Sequence, residues 1–222
     1  MVAVLVALTI LALLTAEYVV MRNRRAGVVT VDVPPPALRS LSETVASVPG
    51  GVFLHPTFTW GRLETDGKVT VGVHPLLLGL IGTPLRLHRR AAGEIVNKGL
   101  PFIRIGSGDK ELTVRSPVSG RIAEVNSRFN GDLGWPSVGE PDGHWLYRIE
   151  PEAIGDDIRH WMVSADATAW TRRQLDQFRW HLERYAQRPD VGLVLADGGD
   201  VPVGVLSQLD EQAWQAVQNA FL

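Results

Sequence analysis

Between Phe53 and Pro151 the chain is a succession of short apolar runs cut by glycine and proline turns, and none sustains a long helical period. Trp60-Gly61-Arg62-Leu63-Glu64 and Lys68-Val69-Thr70-Val71-Gly72-Val73 flank Thr65-Asp66-Gly67, which reads as a hairpin. Pro75 to Gly82 is leucine-rich and reads as a short helix. Leu85-Arg86-Leu87 is a further strand, and Gly93-Glu94-Ile95-Val96-Asn97-Lys98-Gly99 a turn region. Phe102 to Ile105 and Glu111 to Arg115 make a second hairpin with its tip at Gly106-Ser107-Gly108-Asp109. Leu112 and Val114 share one face of the returning strand, while Glu111, Thr113 and Arg115 share the other. Ser116-Pro117-Val118-Ser119-Gly120 then leads into a strand over Arg121 to Asn126, and Trp145 to Ile149 is the last strand. The unit is all-β with local helical turns.

The order of these pieces resembles the H protein of the glycine cleavage system. Five elements carry the resemblance: His55-Pro56-Thr57-Phe58-Thr59-Trp60, Lys68 to Val73, Gly93-Glu94-Ile95-Val96, Ser116 to Asn126, and Pro141-Asp142-Gly143-His144-Trp145-Leu146. Glu94 stands where an aspartate is usual, and the last element is one residue short and lacks a tyrosine. The resemblance implies a barrel-sandwich hybrid of two small sheets, a lipoyl-type domain, over residues 51–151. It also implies a lysine near the hairpin tip that carries a lipoyl arm. In that family the lysine stands seven residues before the serine of S-P-V-S-G; here that position is Asp109, and Lys110 is one residue too close. A one-residue slip sends a strand side chain to the other face. Only a bulge would restore it. Lys110 is therefore a weak candidate for lipoylation, and the cofactor expectation is none. The Gly108-Asp109-Lys110 sequence also resembles the lysine turn of 2-oxoacid dehydrogenase lipoyl domains, again one residue too near the proline.

Met1 to Thr15 is apolar apart from two threonines, and the apolar character resumes at Tyr18-Val19-Val20-Met21. That is enough to cross a bilayer core as a helix. Arg22, Arg24 and Arg25 follow, and no basic residue precedes. The positive-inside bias puts the N-terminus outside and the remainder in the cytoplasm. The expectation is a single-pass anchor over 1–22 in a bacterial-type inner membrane, with Glu17 at the headgroup level near the arginines. Residues 23–50, with Pro34-Pro35-Pro36, read as a stiff spacer with a short helical turn near Ser40 to Glu43.

Residues 152–222 read as a helical module with a hairpin. Glu152 to Met162 continues as a helix, and Ala165 to Gln187 is a long helix with Trp170, Leu175, Phe178, Leu182 and Tyr185 on one face. Val191 to Leu195 and Val201 to Val205 form the hairpin, and a last helix is capped by Ser207. Trp161, Trp170, Trp180 and Trp214 either pack this module or serve as docking anchors, a role tryptophan favours.

The chain has no cysteine, which excludes a disulfide framework, a thiolate zinc site and a cysteine nucleophile. The six histidines show no metal-binding spacing, so no metal is expected. A formal net charge of −2 gives no overall field for nucleic acid. Asp156-Asp157, Asp197 and Asp200 read as turn or cap acids, and Arg86 with His88-Arg89-Arg90 forms a local basic patch, either solvated or facing anionic headgroups. No nucleophile–base–acid order is visible, so no enzyme is expected. The whole reads as a membrane-anchored, non-lipoylated docking subunit on the cytoplasmic face of a larger membrane complex of respiratory or photosynthetic type. The alternative is a membrane-tethered lipoyl carrier using Lys110.

Overall fold

Two antiparallel sheets feed one hydrophobic cluster in the computed structural model, which describes residues 28–31, 41–44, 48–83, 85–129, 144–186 and 201–222. The first sheet has four strands in the order β1 (Val28–Val31), β5 (Leu85–Arg89), β7 (Pro101–Ser107) and β8 (Lys110–Arg115). The second has seven: β11 (Met162–Val163), β2 (Phe53–His55), β3 (Thr59–Leu63), β4 (Val69–Val73), β10 (Tyr147–Pro151), β9 (Gly120–Val125) and β6 (Ile95–Val96). Alternation decides the faces. Leu85, Leu87, Ile105, Leu112 and Val114 are buried, while Arg86, His88, Arg104 and Thr113 lie between them on the other side.

The expected spacer over 23–50 is corrected at its start. Val28–Val31 is a strand paired with β5 from Val28 opposite His88 to Val31 opposite Leu85. Its run of β-branched residues, Val28-Val29-Thr30-Val31, suits an edge strand. Leu41–Thr44 is a helical turn (α1) with Leu41 fully buried. The triproline lies outside the described residues, as do the expected span over 1–22, Glu17, Arg22, Arg24 and Arg25. Among the described residues no helix is long and apolar enough to cross a membrane.

Helix α2 (Pro75–Ile81) is short because its signals are close together. Pro75 pre-sets the first turn, and Gly82, at φ 76°, ends it. His74 caps its start: Nδ1 accepts the Leu76 N–H at 3.0 Å. The other ring nitrogen must then carry the proton, and it donates to Thr171 Oγ1 at 3.0 Å, whose hydroxyl donates to the Ala167 carbonyl. This chain of bonds ties α2 to the long helix α4 (Ser164–Ala186). His74 is fully buried, and desolvation pushes its imidazole down to about 3.

Two glycines seat tryptophans on the second sheet. Gly72 lies opposite Trp60, and a Cβ there would come within 2.4 Å of its indole. Gly61 takes Trp161 in the same way. The segment after β10 differs from the expected single helix over 152–162. It is a four-residue helix, α3 (Ile154–Asp157), then a 3-10 turn over Ile158–His160, then β11. The two-residue strand β11 pairs with β2, and this bends the chain before α4.

The C-terminal part also departs from expectation. Val201 to Val205 forms no strand; it runs through a turn into a 3-10 segment, Val205–Gln208, while Val191 to Leu195 lies outside the described residues. The last helix, α5, spans Glu211–Phe221 and is capped by Asp210, whose carboxylate accepts the Ala213 N–H at 2.8 Å. Ser207 instead donates to the Gly204 carbonyl. A carboxylate at a helix N-terminus also meets the positive end of the helix dipole, which favours the later start.

Gly72→Ala is expected to destabilise the full chain by about 1–3 kcal/mol in urea unfolding, because the indole has no room to yield. Gly155→Ala, whose Cβ meets nothing within 4 Å, is the near-neutral control. For His74 the unfolded chain binds a proton below its ordinary value of 6.5, while the folded chain does not until about 3. Stability from this site is intact above that ordinary value and falls as pH drops towards the folded one, by up to about 1.4 kcal/mol per pH unit. His74→Asn, which keeps a cap acceptor, is expected to remove about one proton from the slope of unfolding free energy between roughly pH 4 and 6.

Candidate functional site: the β7–β8 hairpin and the tail that covers it

The hairpin tip is tighter than the sequence suggests. Ser107 pairs with Lys110, so the turn is only Gly108-Asp109, with Gly108 at φ 62° supplying the left-handed residue such a turn needs. Gly108 and Asp109 are both exposed. The pairing at Lys110 is regular: from Ile103 to Ser107 the register runs unbroken, and the irregularity lies at the far end, between Pro101 and Ile103. Lys110 is therefore not returned to the register of Asp109.

Lys110 is engaged. Its ammonium donates to the Leu209 carbonyl at 2.5 Å. Further along β8 the Gln218 side chain behaves like a piece of neighbouring strand. Its Oε1 accepts the Thr113 N–H at 2.6 Å, and its Nε2 donates to the Thr113 carbonyl at 3.2 Å. Arg115 Nε donates to the Leu222 backbone oxygen at 2.8 Å, and its guanidinium also reaches the Gly99 carbonyl. Three residues of one strand, Lys110, Thr113 and Arg115, are thus held by one segment, Leu209 to Leu222. Nothing in the sequence singled out Gln218; the apolar face of the last helix, Leu209, Ala213, Trp214, Val217 and Phe221, was the one hint of a partner surface.

That segment is held from behind as well. Gly204 N–H donates to the Gly79 carbonyl at 2.7 Å, and a Cβ on Gly82 would lie 2.4 Å from the Gly204 Cα. Trp214 Nε1 donates to the Leu206 carbonyl, and Phe221 stacks on Phe178 of α4 at 3.9 Å. Phe58 lies against Trp170 at 5.0 Å and meets Phe178 and Phe221 edge-on. The four candidate docking tryptophans therefore separate. Trp214 and Trp170 are core residues, and Trp161 is partly buried over Gly61. Trp180 alone of the four is exposed, at 56%.

The Ser116–Gly120 crossing fixes where the hairpin stands. Ser116 is fully buried, exchanges backbone bonds with Leu100 and Gly99, and donates its hydroxyl to the Val118 carbonyl. Ser119 N–H donates to Asp157 Oδ2 at 3.1 Å, and Asp157 pairs with Lys98 at 3.2 Å. Gly120 is required by space, since a Cβ would meet the Glu150 carbonyl at 2.1 Å. Asp157 is thus a structural pin. Nearby, His55 Nδ1 accepts the Thr57 N–H, and desolvation, helped by Lys98 and His160, lowers its imidazole to about 4. Among the described residues no three acidic or imidazole groups converge to hold a metal ion.

The family model described as "Glycine cleavage H-protein" matches residues 54–172. The glycine cleavage system H protein of Xanthomonas euvesicatoria pv. vesicatoria (strain 85-10) is 29% identical over 109 residues, 48% of this chain and 81% of its own length. That of Methylococcus capsulatus (strain ATCC 33009 / NCIMB 11132 / Bath) is 30% identical over 112 residues, 50% of this chain and 87% of its own. The crystal structure of a glycine cleavage system H protein from Mycobacterium marinum aligns with 56% of this chain and 98% of that one, at 22% identity and a TM-score of 0.43. With the family model matched over residues 54–172, more than half of its length, the chain belongs to the glycine cleavage H-protein family.

Proposed function

We propose that this chain is a membrane-anchored, non-lipoylated member of the H-protein family that acts as a docking subunit of a larger membrane complex, from the cytoplasmic face. The observation that carries this reading is the state of the hairpin. Its exposed tip presents the Asp109 carboxylate, and the neighbouring Lys110 amine donates to a carbonyl of the covering tail. A lipoyl arm is an amide on a lysine amine. A carboxylate cannot form it, and Lys110 would have to give up its bond to Leu209 and its charge to do so. The apolar run before Arg22 supports the anchor, and it fits a respiratory or photosynthetic type of assembly. Trp180, exposed on α4, is the anchor residue we assign to the partner surface.

Intact-mass measurement tests the first half. Expressed with a lipoylating enzyme and lipoate, the wild-type chain and Lys110→Arg are both expected to carry no lipoyl increment. Asp109→Lys, which puts an amine at the exposed tip position, is expected to acquire one. An increment on the wild type that disappears in Lys110→Arg would make the chain a tethered lipoyl carrier instead.

Mild-detergent extraction tests the second half. The chain is expected to co-migrate with partner subunits at fixed stoichiometry. Trp180→Ala is expected to weaken that retention by roughly tenfold or more while leaving the unfolding midpoint unchanged. A lone monomer under the gentlest extraction would sink the docking role.

A further inference from the structure

The four-stranded sheet presents a basic row at the point where the chain enters it. Val28 pairs with His88, His88 with Arg104, and Arg104 with Thr113, so these residues form one line across the sheet. Arg86 lies two residues along β5, on the same outer side as His88. A cleft of about 360 Å³ opens at one end of this face, lined by His88, Arg90, Glu94, Pro101 and Arg104. Its ion pairs are local: His88 and Arg104 share Glu111 at 2.6 and 3.4 Å, and Arg90 pairs with Glu94 at 3.2 Å. Arg86 makes no ion pair among the described residues. Three arginines thus face two glutamates, and the surplus is cationic.

The tether decides what this surplus meets. The apolar run ends at Met21, and Arg22, Arg24 and Arg25 stand between it and Val28. Six residues from Arg22 to Val28 span roughly 20 Å at full extension. Since Val28 enters the sheet beside His88, the row of His88 and Arg104 is the one bound most closely to the bilayer surface. The other sheet has the opposite character. There Glu64, Asp66 and Glu124, with Lys68 and Arg148, line a separate cleft beside the β3–β4 hairpin. We infer that the outer face of β5 and β7, through Arg86, His88, Arg90 and Arg104, lies against anionic phospholipid headgroups and fixes the orientation of the domain on the membrane. This rests on the anchor reading given under the proposed function. Each arginine brought to an anionic surface adds about 1 kcal/mol, roughly fivefold in occupancy.

The chain has no cysteine, so single reporters are clean. Thr113→Cys on the basic side and Thr65→Cys on the β3–β4 turn would each carry a fluorophore in the full chain, reconstituted into bilayers containing headgroup-nitroxide lipid. Alkaline carbonate extraction is run first. Release of the chain would overturn the anchor reading and this inference with it; retention confirms the anchor and leaves the orientation to the reporters. In bilayers with about 30% anionic lipid, the Thr113 site is expected to be quenched at least about threefold more than the Thr65 site. The difference is expected to collapse in purely zwitterionic bilayers, with no variant involved, and in Arg86→Gln/Arg104→Gln. Equal quenching at both sites, or a difference indifferent to lipid charge, in a retained chain would overturn the inference while the anchor stands. Abolition by millimolar inorganic phosphate at constant ionic strength would assign the cleft to a free anion and overturn the lipid assignment.

Discussion

Strand β8 has hydrogen-bonding groups along both edges and a neighbouring strand on only one of them. A free edge at the end of a sheet recruits whatever extended chain it meets. Here the protein supplies its own cover: the Gln218 amide satisfies Thr113 on both its donor and its acceptor, and the ends of the same segment take Lys110 and Arg115. Closing this edge sets the position of α5. Helix α5 in turn brings Phe221 onto Phe178 and so clamps α4 against Phe58. The described residues after 152 for this reason share one hydrophobic cluster with the β domain.

The same hairpin is fixed at its base by the Ser116–Gly120 crossing. Ser119 N–H donates to Asp157 while Lys98 neutralises it, so a nearly buried carboxylate has a charged partner and a backbone donor at once. The hairpin is therefore held at the crossing and along its outer edge. On this H-protein scaffold the lysine beside the hairpin tip, Lys110, is tied down by the covering segment.

Much of the β domain was legible because its signals are local. The Thr65-Asp66-Gly67 turn, the proline and glycine that bracket α2, and the alternation of Leu112 and Val114 with Glu111, Thr113 and Arg115 each specify structure within a few residues. The failures are of one kind. Val28–Val31 read as spacer because nothing nearby in sequence pairs with it; its partner is β5, some sixty residues on. Val201 to Val205 read as a strand from its valines, but Gly204 is committed to the Gly79 carbonyl and a left-handed φ of 79°, which no strand accommodates. Ser207 read as the cap with Asp210 three residues on, but the helix starts later and Asp210 itself is the cap. Of the site, the hairpin with Lys110 beside its tip was legible and the covering tail was not, since a glutamine bridging a distant strand edge leaves no local pattern.

The contact between Gly82 and Gly204 gives the tail a digital character. Backbone meets backbone there with no side chain between, so no rotamer can adjust and no intermediate spacing retains the contact. A tail secured this way cannot creep along the groove by degrees; it is seated in one register or it is off. Detachment would then release the strand edge, the lysine and the aromatic clamp together, as a single cooperative unit rather than a fraying end.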